Sequence, residues 1–179
     1  MIKQDANVNE DDGDGVTPLV AAVYSQNLEL VDSIVRQGVN VNQDQNDGRT
    51  ALILATGYGS VDIGNYLIQN GADVDQADLN SSAPLMTARG LEMVDLLIRA
   101  GADIDLEDHQ GITALVVHAA CCSADFVNRL IEACADVGHT APHDITALSM
   151  VDVQPAWRSN HSDILATRHA LTQLRYDLK

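Results

Sequence analysis

Positive charge is scarce in this chain. Ten Lys and Arg face 26 Asp and Glu over 179 residues, leaving a formal charge of −16 and a pI near 4.3. That balance excludes proteins that grip nucleic acid phosphates or an anionic membrane surface, since both need clustered Lys and Arg. Cysteine is also rare. Three are too few, and odd in number, for a disulfide scaffold, so a reducing cytoplasm is the expected setting. No apolar run approaches the roughly 18 residues a bilayer-spanning helix requires, and the opening MIKQDANVNE lacks the apolar stretch of a signal peptide. Aromatics total six: Trp157, Phe126 and four tyrosines. What the chain does have is 46 % apolar residues, enough to bury a core and too many for a disordered acidic tail. Its length predicts one domain.

Self-similarity organises the rest. Thr17-Pro-Leu-Val, Thr50-Ala-Leu-Ile, Thr113-Ala-Leu-Val and Thr146-Ala-Leu-Ser repeat one pattern, with a degenerate copy at Ala83-Pro-Leu-Met. Successive copies lie 33, 33, 30 and 33 residues apart. A second signature runs in phase: Gly38-Val-Asn-Val-Asn, Gly71-Ala-Asp-Val-Asp, Gly101-Ala-Asp-Ile-Asp and Cys134-Ala-Asp-Val-Gly, with a remnant at Ala6-Asn-Val-Asn. Thr17 suits a helix N-cap and Pro18 the first helical position, where its missing N–H costs nothing. Leu28, Leu30, Val31, Ile34 and Val35 lie at helical spacing, as do Leu91, Val94, Leu97 and Ile98. Gly38, Gly71 and Gly101 then close helices in a left-handed conformation.

These residues resemble the ankyrin repeat family, whose unit is a turn and two helices over 33 residues with a T-P-L-H-x-A start. The likeness is good over residues 5 to 150. It implies an all-α repeat solenoid of stacked helix-turn-helix repeats with β-hairpin fingers. One domain over 1–179 is expected, with repeats starting near 5, 38, 71, 101 and 134 and a divergent cap over 151–179. A short helix pair cannot bury its own apolar face, so neighbours stack into one continuous core.

Several positions depart from the pattern. The third repeat is three residues short, nearly one helical turn, around Arg89 and Gly90. This is either tolerated loop variation or a notch that admits a partner. Cys134 stands at a glycine position and pays strain if its backbone is left-handed. Gly64 falls on the inward side of a helix where other repeats carry Val, and predicts a soft spot. Beyond Met150 the pattern fades. Residues 153–162 read as an extended connection, and Ile164, Leu165, Leu171, Leu174 and Leu178 as one helical stripe capped by Ser162. Residues 151–179 carry three acids and four bases, net +1, so residues 1–150 hold −16 − 1 = −17.

Candidate catalytic and metal chemistry is thin. Cys134, His139 and His143 have zinc-like spacing, but structural zinc needs four convergent ligands, and finger-surface histidines are the preferred reading. His118 could share a helix face with Cys121 and Cys122, without an orienting group or oxyanion site. The two cysteines read better as small residues at a helix end. Asp11-Asp-Gly-Asp-Gly lacks the ligand spacing and the bidentate Glu of a calcium loop and fits turn chemistry. No enzyme activity, metal or cofactor is expected.

The resemblance implies a binding surface made of finger tips and exposed ends of first helices. In the first repeat these slots hold Asp11, Asp14, Val16, Tyr24 and Ser25. The second supplies Asp44, Asn46, Asp47, Arg49 and Tyr58, and the third Leu79, Asn80 and Ser82. Glu107, His109, Gln110, Ile112 and Cys121 follow in the fourth, then His143 and Ile145 in the last finger. Tyr24 and Tyr58 share a helix-end slot; Val16, Ile112 and Ile145 share the slot before the Thr position. As exposed groups ringed by carboxylates they read as anchors with an acidic rim, or else as packing on neighbouring fingers. The acids either solvate the surface or steer a basic partner. The expected function is a non-enzymatic protein-binding module, a monomer when free, taking one partner, a basic protein, as an inhibitor or immunity-type protein. The rival reading is a scaffold, adaptor or secreted effector that engages host proteins. Neither nucleic acid nor membrane is an expected partner.

Overall fold

A computed structural model describes residues 9–13, 15–121, 123–152 and 161–177, except for the side chains of residues 161 and 174–177. Asp14, Cys122, Trp157 and the connection at 153–160 lie outside it. The chain divides into two compact units, Met1–Gly101 and Ala102–Lys179. Among the described residues the secondary structure is helical, with two isolated antiparallel bridges and no strand.

The first unit holds three helix pairs: α1 (Pro18–Tyr24) with α2 (Leu28–Val35), α3 (Ala51–Tyr58) with α4 (Val61–Gln69), and α5 (Pro84–Thr87) with α6 (Leu91–Arg99). First helices pack on first helices, α1 on α3 and α3 on α5, and second on second, α2 on α4 and α4 on α6. Each start follows from the repeat. Thr17 Oγ1 accepts the Val20 N–H at 3.2 Å and Thr50 Oγ1 accepts that of Ile53 at 3.2 Å. Those bonds satisfy donors that the first turn otherwise leaves open. Leu52, Leu67, Leu85, Met93 and Leu97 are fully buried, and cutting one such side chain to Ala typically costs about 2–5 kcal/mol.

The apolar stripe of α2 is narrower than its spacing predicts. Val31 is buried, but Leu28 and Leu30 are exposed; Leu30 lies about 100° around the helix from Val31. Gly64 is a packing site. A Cβ there would stand 3.1 Å from Met93 Cε, so Met93 fills the volume that Val occupies in other repeats.

The second unit pairs α7 (Ala114–Ala120) with α8 (Ala124–Glu132), and α9 (Ala147–Asp152) with α10 (His161–Asp177). Leu115, Val127, Leu130, Val151 and Leu171 form its core. Thr146 and Ser149 cap α9 reciprocally: Ser149 N–H donates to Thr146 Oγ1 at 3.1 Å and Thr146 N–H to Ser149 Oγ at 2.9 Å. Two expectations for α10 need correction. Ser162 lies inside the first turn, its hydroxyl directed to Asp163, so it is not the cap. The buried stripe runs through Thr167 and Leu171, while Leu165 is exposed. Of the remaining stripe residues, Leu174's side chain and Leu178 lie outside the description.

Cys134 follows α8 with φ +70°. Its N–H bonds to Ile131 O at 2.9 Å and that of Ala135 to Leu130 O at 3.0 Å. This is the closing motif in which glycine is usual at the left-handed position. Gly71 does the same after α4, through Ile68 O at 3.1 Å and Leu67 O at 3.0 Å.

Candidate partner-binding surface

The fingers are tight turns, each closed at its base by a backbone bond. Asp12 donates to Val16 O, Gln45 to Arg49 O and Asp78 to Ser82 O in the first unit; Asp108 donates to Ile112 O and Ala141 to Ile145 O in the second. Side-chain carboxylates brace them. Asp12 Oδ1 accepts the Val16 N–H, Asp78 Oδ1 those of Asn80 and Ser82, and Asp108 Oδ1 those of Gln110 and Ile112. Many acids of this chain therefore hold turns together and also charge the surface.

In the first unit, Asp11 is exposed and accepts the Gly13 N–H at 2.7 Å, so the Asp-Gly segment is a turn. Asp44, Asn46, Leu79 and Asn80 are exposed, and Ser82 is half-buried. Ser25 is exposed and donates to Ala22 O. Asp47 belongs to an ion pair: Arg49 Nε and Nη2 approach its Oδ2 at 2.7 and 2.6 Å. Hydrogen bonding from Arg49 holds the Asp47 carboxyl below the usual carboxylate range. The second finger then supports the third, as Leu79 N–H donates to Asp47 O at 3.1 Å.

Tyr24 and Tyr58 are exposed and in contact, their ring centroids 6.4 Å apart. Each is the last residue of its helix, α1 and α3. In repeat register Tyr58 aligns with Ser25, because α3 is one residue longer. The Tyr24 hydroxyl donates to Gln45 Oε1 at 3.1 Å.

Two cavities flank Tyr58. One, of about 240 Å³, is walled by Arg49, Ile53, Leu54, Gly57, Tyr58, Thr87 and Arg89. The other, of about 460 Å³, runs past Gln26, Leu28, Ser60 and Val61 to Asp62 and Glu92. Arg89 is a cavity-wall residue that sequence reasoning missed; the available signal was the three-residue shortening beside it.

In the second unit, Glu107, His109, Gln110, Cys121 and His143 are exposed. Cys121 is the C-cap of α7, as its reading as a small helix-end residue requires. His143 has φ +65° in the 3-10 turn Pro142–Asp144. His139 corrects the sequence reading. It is half-buried between fingers, with Nε2 at 2.7 Å from Gly111 O and Nδ1 at 3.8 Å from Glu107 Oε1. Buried His118 stacks on Phe126, centroids 4.8 Å apart. Among the described residues no three His, Cys, Asp or Glu side chains converge as metal ligands. Val16, Ile112 and Ile145 are half-buried in their fingers, so exposure is a property of the tyrosines more than of that slot.

Sequence reasoning also missed the ladder between repeats. Asn9 Oδ1 accepts the Asn40 N–H, Asn42 Oδ1 that of Asp73, and Asp105 Oδ1 that of Asp136, each pair 31 residues apart. The conserved spacing comes from one slot, the final Asn or Asp of the Gly-Ala-Asp-Val-Asp signature.

A family model described as ankyrin repeats, in three copies, matches residues 1–78. This chain carries ankyrin repeats over residues 1–78. Its helix pairs, left-handed closing residues and finger turns are those the repeats predict. A search of curated proteins found no match. Ankyrin repeats are protein-interaction modules. Among the described residues, no helix is long and apolar enough to cross a membrane.

Proposed function

We propose that this ankyrin repeat protein is a non-enzymatic module that binds one basic protein through its finger tips and first-helix ends. The observation that carries the reading is the exposed Tyr24–Tyr58 pair beside the acidic finger tips, on a stretch with a formal charge of −17 over residues 1–150. Tyrosines give large, rigid contact area at the centre of an interface. Unpaired finger carboxylates raise the encounter rate with a positive partner and suppress wrong ones. Asp11 and Asp44 serve that role; Asp47 is neutralised by Arg49 and does not. A short array that covers a basic enzyme or toxin in a 1:1 complex acts as an inhibitor of the immunity type, in a reducing cytoplasm that keeps Cys121 and Cys134 as the free thiols they are here.

The test is capture from a lysate of the source cells with the intact protein and with its Asp11→Lys/Asp44→Lys variant, followed by association kinetics at several salt concentrations. The reading expects one basic protein in 1:1 ratio, bound more slowly and with weaker salt dependence by the variant. Several substoichiometric proteins, bound equally by both, would favour an adaptor.

A further inference from the structure

The shortened third repeat leaves a basic notch in an acidic protein. α5 has four residues where α1 has seven and α3 eight. The chain leaves the helix at Ala88 with φ −59° and ψ 132°, and Arg89 is then fixed against α3. Its N–H donates to Thr56 O at 3.1 Å, and its carbonyl oxygen lies 3.0 Å from where a Cβ on Gly59 would stand. A further turn of α5 would have covered this part of α3. In its place is the 240 Å³ cavity with Arg49, Tyr58, Thr87 and Arg89 in its wall.

The charges there do not cancel. Arg49 is matched by Asp47. Thr87 Oγ1 already bonds to Pro84 O and to the Thr56 hydroxyl. The Arg89 guanidinium has no partner among the described residues. One unit of positive charge is thus unspent, against an apolar floor formed by Ile53 and Leu54. We propose that this notch receives a single Asp or Glu side chain of the bound protein, with Arg89 as its principal donor. The proposal rests on the protein-binding reading above and adds a carboxylate to the partner's otherwise basic contact surface. Size favours a side chain, because pockets for small molecules run to about 300–1,000 Å³. Charge favours a carboxylate, because one free guanidinium balances one negative charge, whereas a phosphate monoester carries about −1.5 to −2. Arg presents a planar fork that matches a carboxylate in a bidentate manner.

The experiment uses the full chain, 15N-labelled, titrated near neutral pH in about 0.15 M salt. The probes are the blocked peptides Ala-Leu-Glu-Leu-Ala, its Gln counterpart and its phosphoserine counterpart. The expected result is saturable shifts of the Gly57 amide and the Arg89 Nε–H with the Glu peptide, and affinity about ten-fold weaker for the Gln peptide. Arg89→Ala abolishes the difference and Arg89→Lys restores part of it, with thermal melting unchanged in both. Equal binding of Glu and Gln peptides overturns the proposal, as do shifts spread equally over Arg36 and Arg99. Tighter binding of the phosphoserine peptide overturns the carboxylate assignment. The peptides are independent of the Asp11/Asp44 kinetics, so failure of the notch and failure of the basic-partner reading are read separately.

Discussion

The rings of Tyr24 and Tyr58 meet nearly at right angles, with centroids 6.4 Å apart and an interplanar angle of 76°. Edge-to-face pairs are worth about 0.5–1.5 kcal/mol beyond the area they bury. With 39 % and 48 % of each residue exposed, the low end applies. A double-mutant cycle of Tyr24→Ala and Tyr58→Ala in urea unfolding should give a coupling of about 0.5 kcal/mol. Tyr58→Ala should shift melting little and raise the dissociation rate of the bound protein. A large loss of stability from Tyr58→Ala alone would make the ring structural.

On the second helices, the Tyr66 hydroxyl donates to Asp32 Oδ1 at 2.6 Å, and Arg36 Nε donates to the same oxygen at 2.9 Å. The bond from Tyr66, then that from Arg36, lowers the Asp32 pKa, and the same contact raises that of Tyr66. A lowered carboxyl contributes stability that is present above its unfolded pKa of about 3.9 and is lost as pH falls through the folded value. A raised phenol contributes stability that is present below its unfolded pKa of about 10 and is lost as pH rises through the folded value. The melting-temperature gap between wild type and Tyr66→Phe should therefore be flat between about pH 5 and 9 and close at both extremes. A gap undiminished in strong acid would exclude an ionised Asp32 as the acceptor.

The repeat period made most of the fold legible. Thr17, Thr50 and Thr146 cap where the pattern places them, and Gly38, Gly71 and Gly101 are left-handed as required. Such local signals act within four residues, and the sequence displays them directly. What was hidden depends on neighbours about one repeat away. Nothing local shows that Met93 fills the space at Gly64 or that His139 reaches Gly111. The notch was half visible: its cause, three missing residues, is in the spacing, while its chemistry needs Arg49 and Arg89 brought to one cavity 40 positions apart. Val16, Ile112 and Ile145 misled because an apolar residue at a finger base can tuck into its own turn.

Equivalent threonines should not be equivalent in energy. Thr50 Oγ1 caps α3, so Thr50→Ala should cost about 1 kcal/mol. Among the described residues Thr113 Oγ1 is buried with no hydrogen-bond partner, and α7 has no side-chain cap bond. Thr113→Val removes a desolvated hydroxyl at nearly constant volume. It should leave stability unchanged or raise it by up to about 1 kcal/mol. Urea midpoints of the two variants decide this, and an equal loss in both would mean that Thr113 caps in solution.

Cys134 and Gly71 occupy the same closing slot, at φ +70° and +90°. An L side chain in the left-handed region costs about 1–2 kcal/mol. Cys134→Gly should therefore stabilise the protein by about 1 kcal/mol, the lower end because glycine also loses more freedom on folding. The reciprocal change separates backbone from packing. A Cβ on Gly71 would meet nothing within 4 Å, so Gly71→Ala pays the conformational cost alone. A Cβ on Gly48, at φ +81°, would stand 2.5 Å from Leu79 N and 2.9 Å from Asp78 C, both backbone atoms that cannot step aside singly. Gly48→Ala should thus cost clearly more than Gly71→Ala and also shift the Leu79 and Asn80 amide resonances, because it pries the second finger from the third. Equal costs at the two glycines would mean that the fingers part without resistance, and the bond from Leu79 to Asp47 would then contribute little to holding the surface in shape.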